Sequence, residues 1–301
     1  MSNQIMAWLD GKLVDWMEVR VSPLSQSFSR ASAIFDVMAV VPAKKGPALI
    51  CLDEHVERFF SSAERTYMSI PFSPEDIKNA IIATARANSI RNGIAKFYAY
   101  YSDTDLGPKP TEKVSAAIFC LDYSSLGSDP DSFSAPLWVG ISQYRKLHPQ
   151  TAAVHAKVVG NYVNGFLART EVSRKGFDEA LMLDTNGFVA EGPTSNIFLA
   201  KGGCVETPTK ENVLPGITRK VVIDVLKDMG HTVKETHILP QDLCEYDEAF
   251  FSGTLRQVQP IKQIEDYKLT CPGPITKALM SRMREVYSGT VERYESLLTY
   301  Y

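Results

Sequence analysis

Two short stretches of this chain carry side chains whose types and spacing could do covalent chemistry. In His155-Ala156-Lys157-Val158-Val159-Gly160-Asn161-Tyr162 a lysine stands five residues before a tyrosine, and in Gly187-Phe188-Val189-Ala190-Glu191-Gly192 a glutamate ends an apolar run. A lysine amine attacks carbonyl carbons and forms a Schiff base when burial or a nearby cation lowers its pKa from the usual value of about 10.4. Lys157 is read here as such a Schiff-base lysine, and the rest of the chain as support, phosphate anchor or substrate wall for the group it would hold.

The anchor has its own signature. Leu214-Pro215-Gly216-Ile217-Thr218-Arg219 leads into a helical stripe of Val221, Val222, Val225, Leu226 and Met229 that stops at Gly230. The first amides of a helix have no internal acceptor, so this loop delivers an anion site. A second hydroxyl-bearing turn, Ser252-Gly253-Thr254, follows an apolar strand.

The elements that must position these residues are legible from pattern. Residues 5–21 read as a hairpin around Asp10-Gly11, a pair that tolerates positive φ. Strands are expected at 33–41, 49–52, 95–102 and 115–121, and helices from Asp53 and from Pro74, where proline and two acids mark a first turn. Ser124 to Ser134 is rich in Ser, Asp, Gly and Pro and reads as an interdomain linker. The expected organisation is a small N-terminal α+β domain over 1–123, a linker over 124–134 and a large C-terminal domain over 135–301. Within the latter, strands are expected at 137–141, 180–184, 188–191, 196–200 and 249–254. Asn186-Gly187 should make a hairpin turn, and a terminal helix should span about 275–286. A helix over 161–175 should place Val163, Phe166, Leu167 and Thr170 on one side, with Gly176 as its stop.

Bulk properties narrow the function. A chain of 301 residues suggests two domains, and 45% hydrophobic with 22% charged residues is ordinary globular composition. A formal charge of -3 argues against a nucleic-acid or acidic-membrane partner, which needs clustered Lys and Arg. No apolar run approaches the roughly 20 residues that span a bilayer, and Met1-Ser2-Asn3-Gln4 lacks a signal-like start. The expected compartment is cytoplasmic. The five cysteines are scattered without a CxxC pair and the five histidines lack ligand spacing, so no metal site is expected.

Lys157 to Tyr162, Gly176-Phe177-Asp178-Glu179-Ala180, Glu191-Gly192 with Asn196-Ile197-Phe198, Leu214 to Arg219 and Ser252-Gly253-Thr254 recur in one order. Together with the Asp10-Gly11 hairpin and His55-Val56-Glu57-Arg58, they make nearly the whole chain resemble the class IV, or fold-type IV, pyridoxal-phosphate aminotransferases, most closely their branched-chain branch. The resemblance implies a two-domain α+β fold like that of D-amino acid aminotransferase, with pyridoxal 5′-phosphate in a cleft near the linker. It implies Lys157 as the catalytic residue, first Schiff-base partner and then proton carrier. Glu191 would pair with the ring nitrogen and Tyr162 with the ring's phenolic oxygen. The phosphate would rest on the amides of Ile217 and Thr218, on Thr254 and on Arg58. The reaction implied is a ping-pong transamination from an amino acid to a 2-oxo acid, and the assembly a homodimer.

The substrate wall departs from the branch. Branched-chain enzymes carry a tyrosine where this chain has Arg30, and an arginine in the strand that here reads Lys96-Phe97-Tyr98. That arginine receives the distal carboxylate of glutamate, so its loss places the glutamate/2-oxoglutarate couple in doubt. Arg30 and Arg256 are candidate replacements, with Phe35, Tyr98 and Leu255 as wall residues. The alternatives on the same fold are a D-amino acid transaminase, an R-selective amine transaminase and aminodeoxychorismate lyase. A non-catalytic cofactor binder would not need Lys157 and Glu191 together.

Overall fold

The computed structural model describes every residue except 1–3, 106, 108, 128–129 and 212. Parts of two sequence expectations therefore lie outside the described residues: the start at Met1 to Asn3 and residues 128–129 of the linker. Contacts divide the chain into two compact units. The first comprises Met1–Asp129, Ala156–Gly160 and Val286–Tyr301, and the second Pro130–His155 and Asn161–Glu285. Segments 156–160 and 286–301 thus belong with the first unit, although the sequence reading carried both in the C-terminal domain.

The first unit is an antiparallel sheet with helices on one face. Its strands are β1 (Met6–Leu9), β2 (Lys12–Asp15), β3 (Ile34–Ala43), β4 (Gly46–Ile50), β5 (Gly93–Tyr101) and β6 (Val114–Asp122). Its helices are α1 (Gln26–Arg30), α2 (Leu52–Arg65) and α3 (Pro74–Ala87). The sheet order is C-terminal strand, β4, β3, β5, β6, β1, β2, where the C-terminal strand Leu298–Tyr300 was not anticipated. The expected hairpin turns at Asp10 and Gly11, both at positive φ. Ser73 and Asp76 form a reciprocal capping box at the start of α3, worth about 1 kcal/mol.

Leu52, Val56, Phe59 and Ala63 of α2, with Ile77, Ala80, Ile81 and Ala85 of α3, pack on Ile34, Met38, Val40, Phe97 and Ile118 of the sheet. Strand periodicity sends Phe35, Val37, Lys96, Tyr98 and Phe119 to the other face, where register sets Phe35 opposite Tyr98 and Val37 beside Lys96. One face of the sheet is core. The other is aromatic and only partly covered.

The second unit contains β7 (Leu137–Ile141), α4 (Tyr162–Ser173), β8 (Glu179–Leu183), β9 (Val189–Glu191), β10 (Asn196–Lys201) and β11 (Cys204–Pro208). It continues with α5 (Ile217–Asp228), β12 (Thr232–Thr236), β13 (Glu248–Gly253), β14 (Gln257–Ile264), β15 (Tyr267–Lys268) and α6 (Pro274–Tyr287). The strands run in the order β12, β11, β10, β13, β14, β7, β8, β9, and β9 pairs back onto β10. That last pairing closes six strands into a barrel, which removes two sheet edges. Val139, Leu181, Leu183, Val189, Ile197, Leu199, Phe251 and Ile261 fill its core.

The helix over 161–175 is present, but its buried side differs from the stripe expected. Val163, Phe166 and Leu167 are exposed, while Gly165, Ala168 and Val172 face inward and pack with Ala180 and Met182. Closeness is the cause at the start of that side: a Cβ on Gly165 would sit 3.0 Å from Pro193 Cα, so a large residue does not fit there.

Candidate active site

Lys157 is held by backbone before its side chain does anything. Its carbonyl accepts from Phe35 N at 3.0 Å and its amide donates to Ser62 Oγ at 3.0 Å. Val159 N and Gly160 N then donate to Ala33 O and Ala31 O, at 2.8 and 2.9 Å. Segment 157–160 is thereby sewn to the entry of β3, and a Cβ on Gly160 would meet Ala31 O at 3.0 Å. Lys157 is 8% exposed, and its ammonium lies 4.7 Å from the centre of the Phe35 ring. The ring's negative face favours the cation there, by about 0.5–2 kcal/mol. Phe35 in turn packs against Tyr98, with ring centres 5.9 Å apart.

On the helix side of β3, the fully buried Asp36 receives three nitrogens. Arg58 donates Nε and Nη2 to its two oxygens at 2.8 Å each, and His55 Nδ1 lies 2.8 Å from Oδ1. Burial opposes ionisation of Asp36, but the charges and hydrogen bonds of Arg58 and His55 outweigh it and hold the carboxyl well below the usual carboxylate range. Burial pushes His55 below its ordinary value despite Asp36, and the positive charges of Arg58 and Lys157 add to the effect. The imidazole is therefore neutral near pH 7, with its Nδ1 proton directed at Asp36. Arg58, expected as a phosphate ligand, thus has a carboxylate partner that aligns its fork. Arg30, at the end of α1, donates Nη2 to Gly107 O at 2.8 Å.

The second unit holds the remaining expected residues. Glu191 is the last residue of β9, paired to β8 through Met182 and to β10 through Asn196, so its backbone sits where the barrel closes. Its buried carboxylate takes Lys146 Nζ at 2.7 Å on Oε1 and Asn196 Nδ2 at 2.9 Å on Oε2. The same Asn196 amide reaches Leu214 O at 3.3 Å, which ties the carboxylate to the loop before α5. Gly216 caps that helix without a side-chain bond, leaving the Ile217 and Thr218 amides at its mouth. A Cβ on Gly216 would fall 2.1 Å from Asn196 Oδ1 and 3.2 Å from Arg219 Cβ, so any larger residue there must displace the Asn196 amide or the helix start. Ser195 Oγ and Ser252 Oγ are buried hydroxyls without a hydrogen-bond partner among the described residues, and Ser252 precedes the half-buried turn at Thr254. A hydroxyl can donate its proton to an anion, so these two groups are compatible with one. Tyr162 opens α4 and is half-buried.

Arg256 does not stand open to a ligand. Its Nη2 pairs with the buried Glu179, its Nη1 donates to Gln259 Oε1 at 2.8 Å, and Arg169 Nε approaches the same glutamate at 3.7 Å. Leu255, beside it in the turn, is exposed.

A family model for class IV amino-transferases matches residues 33–264. The chain belongs to the class IV aminotransferases. The branched-chain-amino-acid aminotransferase of Pseudomonas aeruginosa is 30% identical to this class IV chain over 290 residues, 95% of this chain and 94% of that protein. A probable branched-chain-amino-acid aminotransferase of Aquifex aeolicus is 32% identical over 97% of this chain and 96% of its own. Among solved structures, the branched-chain aminotransferase of Thermoproteus uzoniensis with norvaline superposes with a TM-score of 0.92, at 30% identity and 98% coverage of both chains. A T.th. branched-chain amino acid aminotransferase with pyridoxamine 5′-phosphate does so at 0.92, with 31% identity and 98% coverage of both chains. This aminotransferase is therefore an α+β, fold-type IV enzyme that transfers amino groups from an amino acid to a 2-oxo acid.

Two residues of the class IV chain were missed by sequence reading, and a third was seen only in part. Asp36 was detectable, because a carboxylate inside the apolar strand 33–41 requires a buried partner. Lys146 carries no such signal, since a lone cation in a polar loop is ordinarily solvated. Lys96 was noticed only as the absence of an arginine.

Proposed function

We propose that this aminotransferase uses pyridoxal 5′-phosphate on Lys157 to move the amino group of a branched-chain-like amino acid to a 2-oxo acid in two half-reactions. The observation that carries the reading is the Lys157 ammonium, buried over the Phe35 ring on a segment sewn to β3. The donor set suits the cofactor: a buried carboxylate for a basic ring nitrogen, and helix amides with buried serine hydroxyls that have no partner among the described residues for a phosphate. When bound, the cofactor supplies an electron sink for the substrate's α-carbon.

The chain's own groups do the rest. Lys157 Nζ takes the α-proton and returns it on the cofactor side, as a general base and acid. Glu191, held by Lys146 and Asn196, keeps a proton on the ring nitrogen. Tyr162 donates to the ring oxygen. Ile217 and Thr218 amides, the Thr254 hydroxyl and Arg58 take the phosphate. Phe35, Tyr98 and Leu255 exclude water from the substrate, and Arg30 borders it. Arg256, already satisfied by Glu179 and Gln259, shapes the turn that carries Thr254.

The functional unit is a homodimer in this reading. Val163, Phe166 and Leu167 form an exposed apolar face on α4 that a second copy would cover, and Phe166 is 69% exposed. The compartment is the cytoplasm, with Cys51, Cys120, Cys204, Cys244 and Cys271 all free thiols.

The test is a half-reaction screen. Purified protein loaded with pyridoxal 5′-phosphate should show the visible band of a lysine-bound cofactor, and Lys157→Ala should lose both the band and turnover. L-leucine should convert the band to that of the amine form. Conversion by D-alanine or an R-aryl amine alone would reassign the substrate, and a Lys157→Ala enzyme with undiminished turnover would sink the proposal.

A further inference from the structure

We infer that Ser62 is a positioning residue whose hydroxyl sets the reactive amine of Lys157 in place relative to Arg58; this deepens the function proposed above and rests on it. Ser62 lies inside α2 and is 0% exposed, with Phe59 and Ala63 of the same helix in the hydrophobic core. Alanine is the better helix former, and a serine hydroxyl bonded back to the carbonyl four residues earlier slightly weakens a helix. Ser62 makes that bond, to Arg58 O at 2.8 Å. Neither helix formation nor apolar packing accounts for a serine here.

Its second partner does. The hydroxyl proton is committed to Arg58 O, so a lone pair is left to accept, and Lys157 N donates to it at 3.0 Å. On the other side of the same residue, Lys157 O accepts from Phe35 N at 3.0 Å. The next residue of β3, Asp36, takes Arg58 Nε and Nη2 at 2.8 Å each. These bonds close a ring that runs from Lys157 to Phe35, along β3 to Asp36, across to Arg58, and through Ser62 Oγ back to Lys157. All of its members belong to the first unit. Arg58 and Ser62 stand one helical turn apart, so α2 presents both on one face. In the proposed enzyme Arg58 takes the phosphate of the cofactor and Lys157 the aldehyde at its other end. Their separation must match that small rigid molecule, and Ser62 ties one to the other through α2. Without its oxygen the buried Lys157 amide loses this acceptor, and the segment gains positions from which the amine misses its partner.

Calorimetric titration of the full-length chain with two forms of the cofactor tests this. In the proposed function Lys157 bonds the aldehyde of pyridoxal 5′-phosphate; pyridoxamine 5′-phosphate keeps the ring and phosphate but offers no aldehyde. Losing one hydrogen bond should cut the competent fraction of Lys157, and with it the affinity of Ser62→Ala for pyridoxal 5′-phosphate, about tenfold. Pyridoxamine 5′-phosphate should stay within about twofold, and Ser62→Thr, which keeps the hydroxyl, should recover most of the loss. In a Lys157→Ala background Ser62→Ala should weaken neither form further, because the amine that it places is gone. Ser62→Cys, whose thiol accepts only weakly, gives the same comparison if the alanine chain does not fold. The inference is overturned if both forms weaken alike, if neither weakens, if threonine recovers nothing, or if the effect survives Lys157→Ala. Wild type without the lysine-bound cofactor band marks failure of the function itself. A wild-type band with Ser62→Ala binding both forms as the parent does marks failure of Ser62 alone.

Discussion

A buried carboxylate, Asp36, gathers two basic side chains of the first unit. Arg58 and His55 converge on it from two positions one helical turn apart on α2, a spacing that puts them on one face. Asp36→Asn would leave the Arg58 guanidinium without its counter-charge in a largely buried place. The expected cost is roughly 3–5 kcal/mol, read as a large drop in the thermal midpoint, whereas breaking an exposed, solvent-screened pair such as Lys45 with Glu295 should leave the midpoint nearly unchanged. The pH dependence has a definite sign. His55 and Asp36 both titrate below their ordinary values in the folded chain, so both bind fewer protons folded than unfolded, and stability rises with pH. His55's share is present above its ordinary 6.5 and fades as pH falls below that, toward its folded value; Asp36's share fades only below 3.8. Thermal midpoints measured from pH 8 to pH 5 should hold level above about 7 and then fall, and His55→Gln should flatten the fall. A midpoint of the parent protein that climbs on acidification would contradict a neutral buried His55.

Among elements, the start of α5 is the most tightly specified. Gly216 is a glycine at ordinary negative φ, so its requirement is space beside Asn196 and not backbone conformation. Gly216→Ala should displace either the helix start or the Asn196 amide that holds Glu191. Cofactor affinity is expected to fall about tenfold or more while far-UV circular dichroism stays that of the parent. Unchanged affinity would show that α5 begins elsewhere in the loaded enzyme. This element was legible in sequence, because Leu-Pro-Gly before a stripe of valines and leucines is a helix start with a mechanism. The inward side of α4 was not. Periodicity reports which residues are large and apolar, but packing chose the small ones, since Pro193 stands against Gly165. Strands β11, β12 and β14 also went unread: prolines at 208 and 260 and polar alternation hide them, and only ladder partners stabilise them.

For the molecule as a whole, the exposed face of α4 carries the assembly question. Phe166→Glu should shift sedimentation from dimer to monomer at micromolar protein if a second copy covers Val163, Phe166 and Leu167, and it should leave the thermal midpoint of the monomer nearly unchanged. A dimer that persists with Glu at this position would place the interface elsewhere. The chain path adds a constraint that no local pattern reveals. Its last strand, Leu298–Tyr300, pairs with β4 of the first unit, and Tyr301 donates its hydroxyl to Ile90 O at 2.7 Å. Truncation of residues 296–301 is therefore expected to expose the β4 edge.

Read through its resemblance to a known family, the sequence by itself led to an α+β aminotransferase of class IV, the family to which the chain belongs, and it supplied Lys157, Glu191 and the α5 amides as the chemical parts proposed for it. Those features are local or nearly so: a strand-end glutamate, a helix start and a lysine followed by a tyrosine can be read within windows of a few residues. Tertiary structure alone decided which charges meet. It brought Asp36 to Arg58 and His55, Lys146 to Glu191, Arg256 to Glu179, and left Lys96 facing two rings. Long-range charge pairing depends on register and burial, which are set by strands far apart in sequence, and a linear pattern holds no record of them.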